Sequence, residues 1–413
     1  MKIHLTVISV LCFLISAQTR AQICGCTDSL AINYNPAATL NDGSCIYNSA
    51  SIAPLSSVTL PGVVSETSGL AAWNGCLWTH NDNSDTRLYA LDTASGAIID
   101  TVQLNNVVNT DWEEISQDGD YLYIGDFGNN LNGNRTDLKI LRISKSSILT
   151  NDPIIDTINF AYSDQLDFTP AGANNTDFDC EAMVVSADSI YLFTKQWISK
   201  GTMVYSLPKI PGTYSAYPVS SFDIGGLITG ATYLENKKVA MLCGYSTLLQ
   251  PFTWLLYDFS GHRFFSGNKR KISVSLPFHQ TEAITTCDGL NVYMTNEAFS
   301  QPPVINNPQQ LHIFDFSAYL SQYLNNLIMN LEIPAGEEEV FLYPNPAAGF
   351  VCLRFDDSLS DKKFSLLNST GSAVLFGTLK GNSAIIDLTS IRSGIYLLKI
   401  EESNRRAVKL IRR

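Results

Sequence analysis

Between residues 66 and 297 one plan recurs five times: "SETSGLAAWNGCLWTHND", "DWEEISQDGDYLYIGDF", "DCEAMVVSADSIYLFTK", "ITGATYLENKKVAMLCGY" and "QTEAITTCDGLNVYMTNE". Each opens on Glu (Thr229 in the fourth), enters a short apolar run, turns at Gly, Asn or Asp, and continues in a β-rich run with a polar end. Short apolar runs broken by turn formers spell antiparallel hairpins. Further β runs follow each hairpin, among them "RLYALD", "LKILRI", "MVYSLP", "WLLYDF" and "LHIFDF". Such a unit cannot bury its faces alone, and its repetition reads as the blades of a β-propeller. The opening positions Glu66, Glu113, Glu181, Thr229 and Glu282 are 47, 68, 48 and 53 residues apart, against roughly 40–50 for one blade. The spacing predicts an all-β chain with five blades over residues 50–318, or six if the 113–181 interval holds another. "SVTLPGV" near Val58 would close the ring.

In a propeller the first strand of each blade lines the axis and the second pairs with it antiparallel. The start of the first therefore lies beside the end of the second. This places Glu181 beside Lys195, Glu66 near His80 and Asp82, Glu113 near Asp126, Glu282 near Glu297, and Thr229 near Tyr245. All converge on one mouth of one channel. Carboxylates 4 Å apart repel by about 4 kcal/mol per pair at an effective dielectric of 20. They must spread apart, be bridged by Lys195, His80 or Arg135, hold a hard cation, or take up protons. Oxygen donors with a single imidazole favour Ca²⁺ or Mg²⁺ over zinc. Glu66, Asp82, Glu113, Asp126 and Glu181 are the candidate metal ligands. Glu282 and Glu297 are candidate general bases, with Lys195, Arg135 and His80 as the cationic or imidazole partners. The competing reading is that inner-strand carboxylates only tie blades together through loop amides.

The two ends of the chain speak of export. "MKIHLTVISVLCFLISAQTRAQ" has Lys2, an apolar core and small residues before a cut after Ala21, the pattern of a secretory signal over 1–21. No later run is long and apolar enough for a transmembrane anchor. The net charge of −12 argues against a nucleic-acid partner, since phosphate binding needs a basic face. Cys24, Cys26 and Cys45 cluster in a small module over 22–48 that needs covalent or metal closure. Its Asp28, Asn33, Asn35 and Asp42 are either Ca²⁺ oxygens or Asx turns. Cys76, Cys180, Cys243, Cys287 and Cys352 read as small hydrophobes. A helix and an acidic linker follow over 319–339, then short alternating strands with Gly turns, a small β-sandwich over 340–413.

Two resemblances sharpen this. "YPNP", "NSTGSAV", "LTSIRSGIYLLKI" and the basic end "KLIRR" resemble the C-terminal sorting domain of type IX secretion cargo. That implies the type IX machinery as partner, passage across the outer membrane, removal of the domain, and attachment to surface lipopolysaccharide or release. "SGLAAWNGCLWTHNDNSDTRLYALD", "DWEEIS", "LYIGDFGNN" with Arg135, "EAM" with "LFTK", "ITGATY", and "TEAI" with "TNE" resemble the propeller family labelled esterase-like or phytase-like. Carried over, that family's site would comprise Glu66, Asp82, Asp111, Glu113, Asp126, Asn129, Asn130, Arg135, Glu181, Lys195, Glu282 and Glu297. The chain departs from the pattern at Glu114 and Asn129, where Asp is expected. Neither a G-x-S-x-G elbow, an H-E-x-x-H pair nor a phosphate-cradling P-loop is present. His262, His279 and His312 are isolated and read as structural. Two functions follow as expectations: a divalent-metal-dependent hydrolase of phosphoesters or carboxylic esters, or a non-enzymatic glycan- or protein-binding propeller with structural Ca²⁺.

Overall fold

The computed structural model describes residues 22–329, 340–343, 345–347, 349–354, 361–380, 383–400 and 407–412. The expected signal segment and the acidic linker at 330–339 lie outside the described residues. The chain divides into two compact units that meet between Asn325 and Asn326.

The first unit is a ring of four-stranded antiparallel sheets. The first sheet comprises Thr67–Trp73, Cys76–Asn81, Arg87–Leu91 and Ile98–Gln103. The second comprises Trp112–Gln117, Tyr121–Asp126, Lys139–Ser144 and Ile155–Tyr162. The third comprises Asp179–Val185, Ser189–Lys195, Thr202–Pro208 and Gly212–Phe222. The fourth comprises Leu227–Leu234, Val239–Tyr245, Pro251–Tyr257 and Asn268–Val274, and Ala50–Ile52 adds a fifth strand in parallel to the last of these. The fifth takes Thr281–Thr286, Asn291–Asn296 and Gln310–Asp315, and its outer strand, Ser56–Thr59, comes from the N-terminal side of the ring. The first strands of the five sheets neighbour one another in cyclic order, the fifth closing on the first. This is a β-propeller. Val58, opposite Leu311, lies in the strand that closes it. Among the described residues the 113–181 interval holds the second sheet, a short helix Lys145–Leu149 and a loop.

Position in the blade dictates composition. Inner strands are covered on both faces, so Asp179–Val185 and Val239–Tyr245 are buried at every residue and run nearly continuously apolar. The outer strand Ile155–Tyr162 has one covered face and alternates at its end. Side chains from adjacent sheets interlock, as Phe193 and Val204 of the third do with Leu242, Phe252 and Leu256 of the fourth. Each fully buried side chain of this size is worth about 1.5–3 kcal/mol. The outer strands of the second and third sheets pair in parallel, Ile158 opposite Gly212.

Cys26 and Cys45 form a disulfide that closes the N-terminal module. Asp28, Asn35 and Asp42 accept hydrogen bonds from the backbone two residues on, so these oxygens serve Asx turns. The module rests on the fourth sheet: Asn41 Nδ2 donates to Asp258 Oδ2 at 2.8 Å, and Lys269 Nζ to the Gly43 carbonyl at 3.0 Å. Helix Ser317–Met329 packs beside it through Tyr323, whose hydroxyl donates to the Lys237 carbonyl at 2.9 Å. No described helix is long and apolar enough to cross a membrane. The second unit stacks a three-stranded on a four-stranded sheet around Val351, Leu353, Leu366, Ile386, Leu398 and Leu410.

Candidate functional site

Register, not only topology, aims the inner-strand acids. In the second sheet Trp112 lies opposite Asp126 and Glu114 opposite Gly125, which leaves Glu113 unpaired. The same slip leaves out Glu181 between Cys180 and Ala182, Thr229 between Ile228 and Gly230, and Glu282 between Thr281 and Ala283. Each is the extra residue of a β-bulge, which breaks the alternation and re-aims a side chain at the rim of a barrel. In the first sheet Ser68 pairs with His80 and Ala71 with Trp78, so the equivalent place falls at Gly69. The expectation that Glu66 opens that inner strand is corrected: Glu66 sits three residues upstream, in the entering loop. The cause is steric. Gly69 has φ +64°, and a Cβ there would lie 2.4 Å from the Ile115 nitrogen and 2.9 Å from His80 Nε2.

The acids form two groups. At the rim, Glu66, Asp82 and Glu297 each offer a carboxylate oxygen, and the three oxygens lie within 4.8 Å of one another. The Asp82 amide donates to the Glu66 carbonyl at 3.1 Å, and Gln280 Nε2 to Glu297 Oε1 at 2.6 Å. Burial, then repulsion from neighbouring acids, pushes Asp82 up to about 7 and Glu297 up to about 7. Deeper in, Asp111, Glu113, Asp179 and Glu181 lie together. Asp179 accepts from the Asn129 amide at 2.6 Å and from Trp197 Nε1 at 2.7 Å. A Cβ on Gly128 would fall 2.3 Å from Glu113 Oε1 and 2.4 Å from Asp111 Oδ2, so only glycine admits the pair. Burial first, and the neighbouring carboxylates second, raise Glu113 and Asp179 well above the usual range and Asp111 to about 6.

Lys195 and Glu282 link the two groups. Lys195 Nζ donates to Glu181 Oε1 at 3.1 Å and lies 4.8 Å from the Trp197 ring and 5.5 Å from the Tyr245 ring. Burial opposes its charge, but Glu181, Tyr245 and Glu282 outweigh burial and hold it above the ordinary lysine range. Glu282 is 7% exposed, and among the described residues no side-chain hydrogen bond reaches its carboxyl. Burial raises it, while Lys195 lowers it and Glu297, Glu181 and Asp82 raise it further. An unbonded carboxyl thus lies within the field of both groups.

Three expected site residues sit differently. Asp126 is fully buried and bridged by Arg135 at 2.9 Å and Lys139 at 2.8 Å, which leaves it no share in a cation site. Arg135 is itself taken up by Asp126, by Asp137 at 3.0 Å and by the Gly128 carbonyl at 2.9 Å. His80 is sealed at 0% exposure, edge-on to Trp112, with burial pushing it down to about 4; it is neutral and out of reach of the mouth. His312 is buried between Ser57 and Asn296. Asp179 escaped the sequence reading, although "TDFDCEAM" places it one turn of the alternation before Glu181. Glu114 escaped as well. Its carboxylate, fully buried, accepts from the Ile115 amide at 3.0 Å and from Ala231 of the fourth inner strand at 2.7 Å. The Met183 and Leu70 amides bear on it too, so one carboxylate gathers donors from four inner strands. It forms the floor beneath the mouth.

Fold and site together define an all-β protein: a propeller with an acidic mouth, followed by a sandwich-like terminal domain. Residues 341–412 match the family described as a secretion system C-terminal sorting domain. The chain is a type IX secretion cargo, exported to the cell surface or the extracellular space. No curated protein matches it. Among solved structures it is similar to PorZ, a bacterial surface component of the type IX secretion system of Porphyromonas gingivalis, at 12% identity and TM-score 0.30. That match covers 84% of this chain and 45% of PorZ. It is also similar to the WD40 repeats of RRP9 at 10% identity and TM-score 0.36, over 65% of this chain and all of that one.

Proposed function

We propose that the mouth binds a divalent cation, Ca²⁺ or Mg²⁺, on Glu66, Asp82 and Glu297, and that the protein is a metal-dependent hydrolase of phosphoesters or carboxylic esters. One observation carries the reading: three carboxylate oxygens within 4.8 Å of one another, beside the buried and unbonded Glu282. Oxygen donors alone suit hard cations. So acidic a mouth repels an anionic substrate unless a cation offsets the charge. When bound, the cation would supply charge stabilisation to the scissile group. The chain's own residues have separate tasks. Lys195, held cationic, steadies developing negative charge. Glu282, with a raised affinity for its proton, exchanges one with water or the leaving group. The resemblance to esterase-like or phytase-like propellers agrees in the residue types involved. Glu113 and Glu181, bound up with Asp111, Asp179 and Lys195, shape the electrostatics in this reading and are not ligands.

The test is hydrolysis of aryl phosphates and aryl esters by the mature chain with Ca²⁺ or Mg²⁺, alongside Glu282→Gln and Asp82→Asn. The reading expects metal-dependent turnover, lowered at least about 100-fold in Glu282→Gln. Turnover that is indifferent to both substitutions ends it. The second reading, a glycan- or protein-binding propeller with structural Ca²⁺, draws support from His80 being buried and held neutral.

A further inference from the structure

Every blade begins and ends its inner hairpin at the mouth, so two sets of loops cluster there: those entering first strands and those leaving second strands. Large apolar side chains stand exposed on these loops around the whole ring: Val108, Leu131, Leu166, Ile198, Leu248 and Val304, with Leu166 89%, Val304 81% and Leu248 80% exposed. The loops at the opposite end carry Leu149, Ile154 and Ile210, and the N-terminal module resting there adds Ile32 and Ile46. Charge is just as unequal. The mouth loops carry ten acidic residues against Arg135 and Lys200, whereas the far loops carry eight against five basic ones. The far end is also where the N-terminal module and helix Ser317–Met329 rest, through Asp258 and Lys237.

Exposed apolar side chains on the loops of one face, gathered about an acidic mouth, set that face apart as an interaction surface. Its strong negative charge turns away anionic lipid headgroups and nucleic acid, and selects a cationic partner. Complementary potential steers the approach of such a partner, and apolar side chains beside the charge add contact area. We propose that the mouth face docks a basic polypeptide segment of a partner protein, with a Lys or Arg directed into the acidic mouth and apolar neighbours seated on the rim loops. This goes beyond the hydrolase reading and holds whether or not the mouth turns over a substrate.

The probe is a labelled peptide in which arginines are spaced by leucines, with a counterpart carrying Glu for every Arg, titrated by fluorescence anisotropy against the full chain. Binding of the arginine peptide that weakens with salt, and falls at least about 10-fold, or 1.4 kcal/mol, in Leu166→Ser/Leu248→Ser, supports the proposal. Ile210→Ser/Leu149→Ser, at the far end, should then bind as the parent does. Equal binding of the glutamate peptide overturns it, as does equal weakening by the far-end pair. Phosphatidylcholine vesicles that bind the parent and not Leu166→Ser/Leu248→Ser would assign the rim to lipid and also overturn it. The rim substitutions leave the carboxylates untouched, so any metal-dependent thermal shift must survive in them. Its loss together with peptide binding would mean a damaged fold, which circular dichroism of the same variants decides.

Discussion

Raising the pH from 5 to 8 without a divalent cation should destabilise the propeller, and adding Ca²⁺ should reverse the loss. Asp82 rises from an ordinary 3.8 to about 7, and Glu297 from 4.5 to about 7, chiefly because they are buried and secondarily because acids face them. A carboxyl whose folded pKa exceeds its unfolded value contributes stability that is fully present below the unfolded pKa. That contribution is lost as pH climbs to the folded pKa. For Asp82 the window runs from about 4 to about 7. Between pH 5 and 7, two units at about 1.4 kcal/mol each remove roughly 3 kcal/mol. In a unit of this size that is a fall of roughly 6–12 °C in Tm. Glu297 titrates over the same window, but the two share one field and their losses do not simply add. Ca²⁺ at 100 times its Kd restores about 2.7 kcal/mol at pH 8, and much less at pH 5, where protons hold the ligand oxygens. Scanning calorimetry with and without Ca²⁺ at pH 5, 6, 7 and 8 reads all of this, and Asp82→Asn should flatten the profile. A Tm that is level across the range, or highest at pH 8 in chelator, refutes the premise that these acids are crowded together.

Two further outcomes probe the frame beneath the mouth. Glu114→Ala strips the acceptor from the Ile115 and Ala231 amides, so urea unfolding should show a loss of about 2–6 kcal/mol, at 1–3 kcal/mol per stranded donor, with Glu114→Gln milder. Lys195→Met leaves Glu181 buried without its cation. It should cost about 3–5 kcal/mol at pH 8, and acidification should recover much of that because Glu181 can then be neutral.

What the sequence disclosed was set by which physics is local. A hairpin writes its two strands and its turn into some twenty consecutive residues. The blades, and the nearness of Glu181 to Lys195 and of Glu282 to Glu297, could therefore be read directly. The bulges could not. Leaving Glu113, Glu181, Thr229 and Glu282 out of register is decided by how neighbouring inner strands crowd the axis. No residue type announces it. Glu66 was mistaken for the fifth member because the true equivalent, Gly69, has no side chain to signal its place. Asp126 and Arg135 carry the right chemistry for a site but meet each other first. The difference between a ligand and a neutralised ion pair lies in how the loop after the second strand folds back on Asp126, which composition does not encode.

The bulges also explain why so many acids can be kept at the mouth of one small channel. A carboxylate in regular alternation would point from one sheet face or the other into a neighbouring blade, where burial without a partner costs several kcal/mol. Taking the residue out of the ladder gives it a third direction, toward the axis, where water, Lys195 or a cation can meet it. Glu114, beneath, is bound up with inner-strand amides and brings no positive side chain to the charge gathered at the rim. Its field is directed outward through the apolar loops. A mouth built this way is poised to attract positive charge of either kind, a metal ion at its centre or a basic side chain from above. The pH at which Asp82 and Glu297 lose their protons sets the threshold for both.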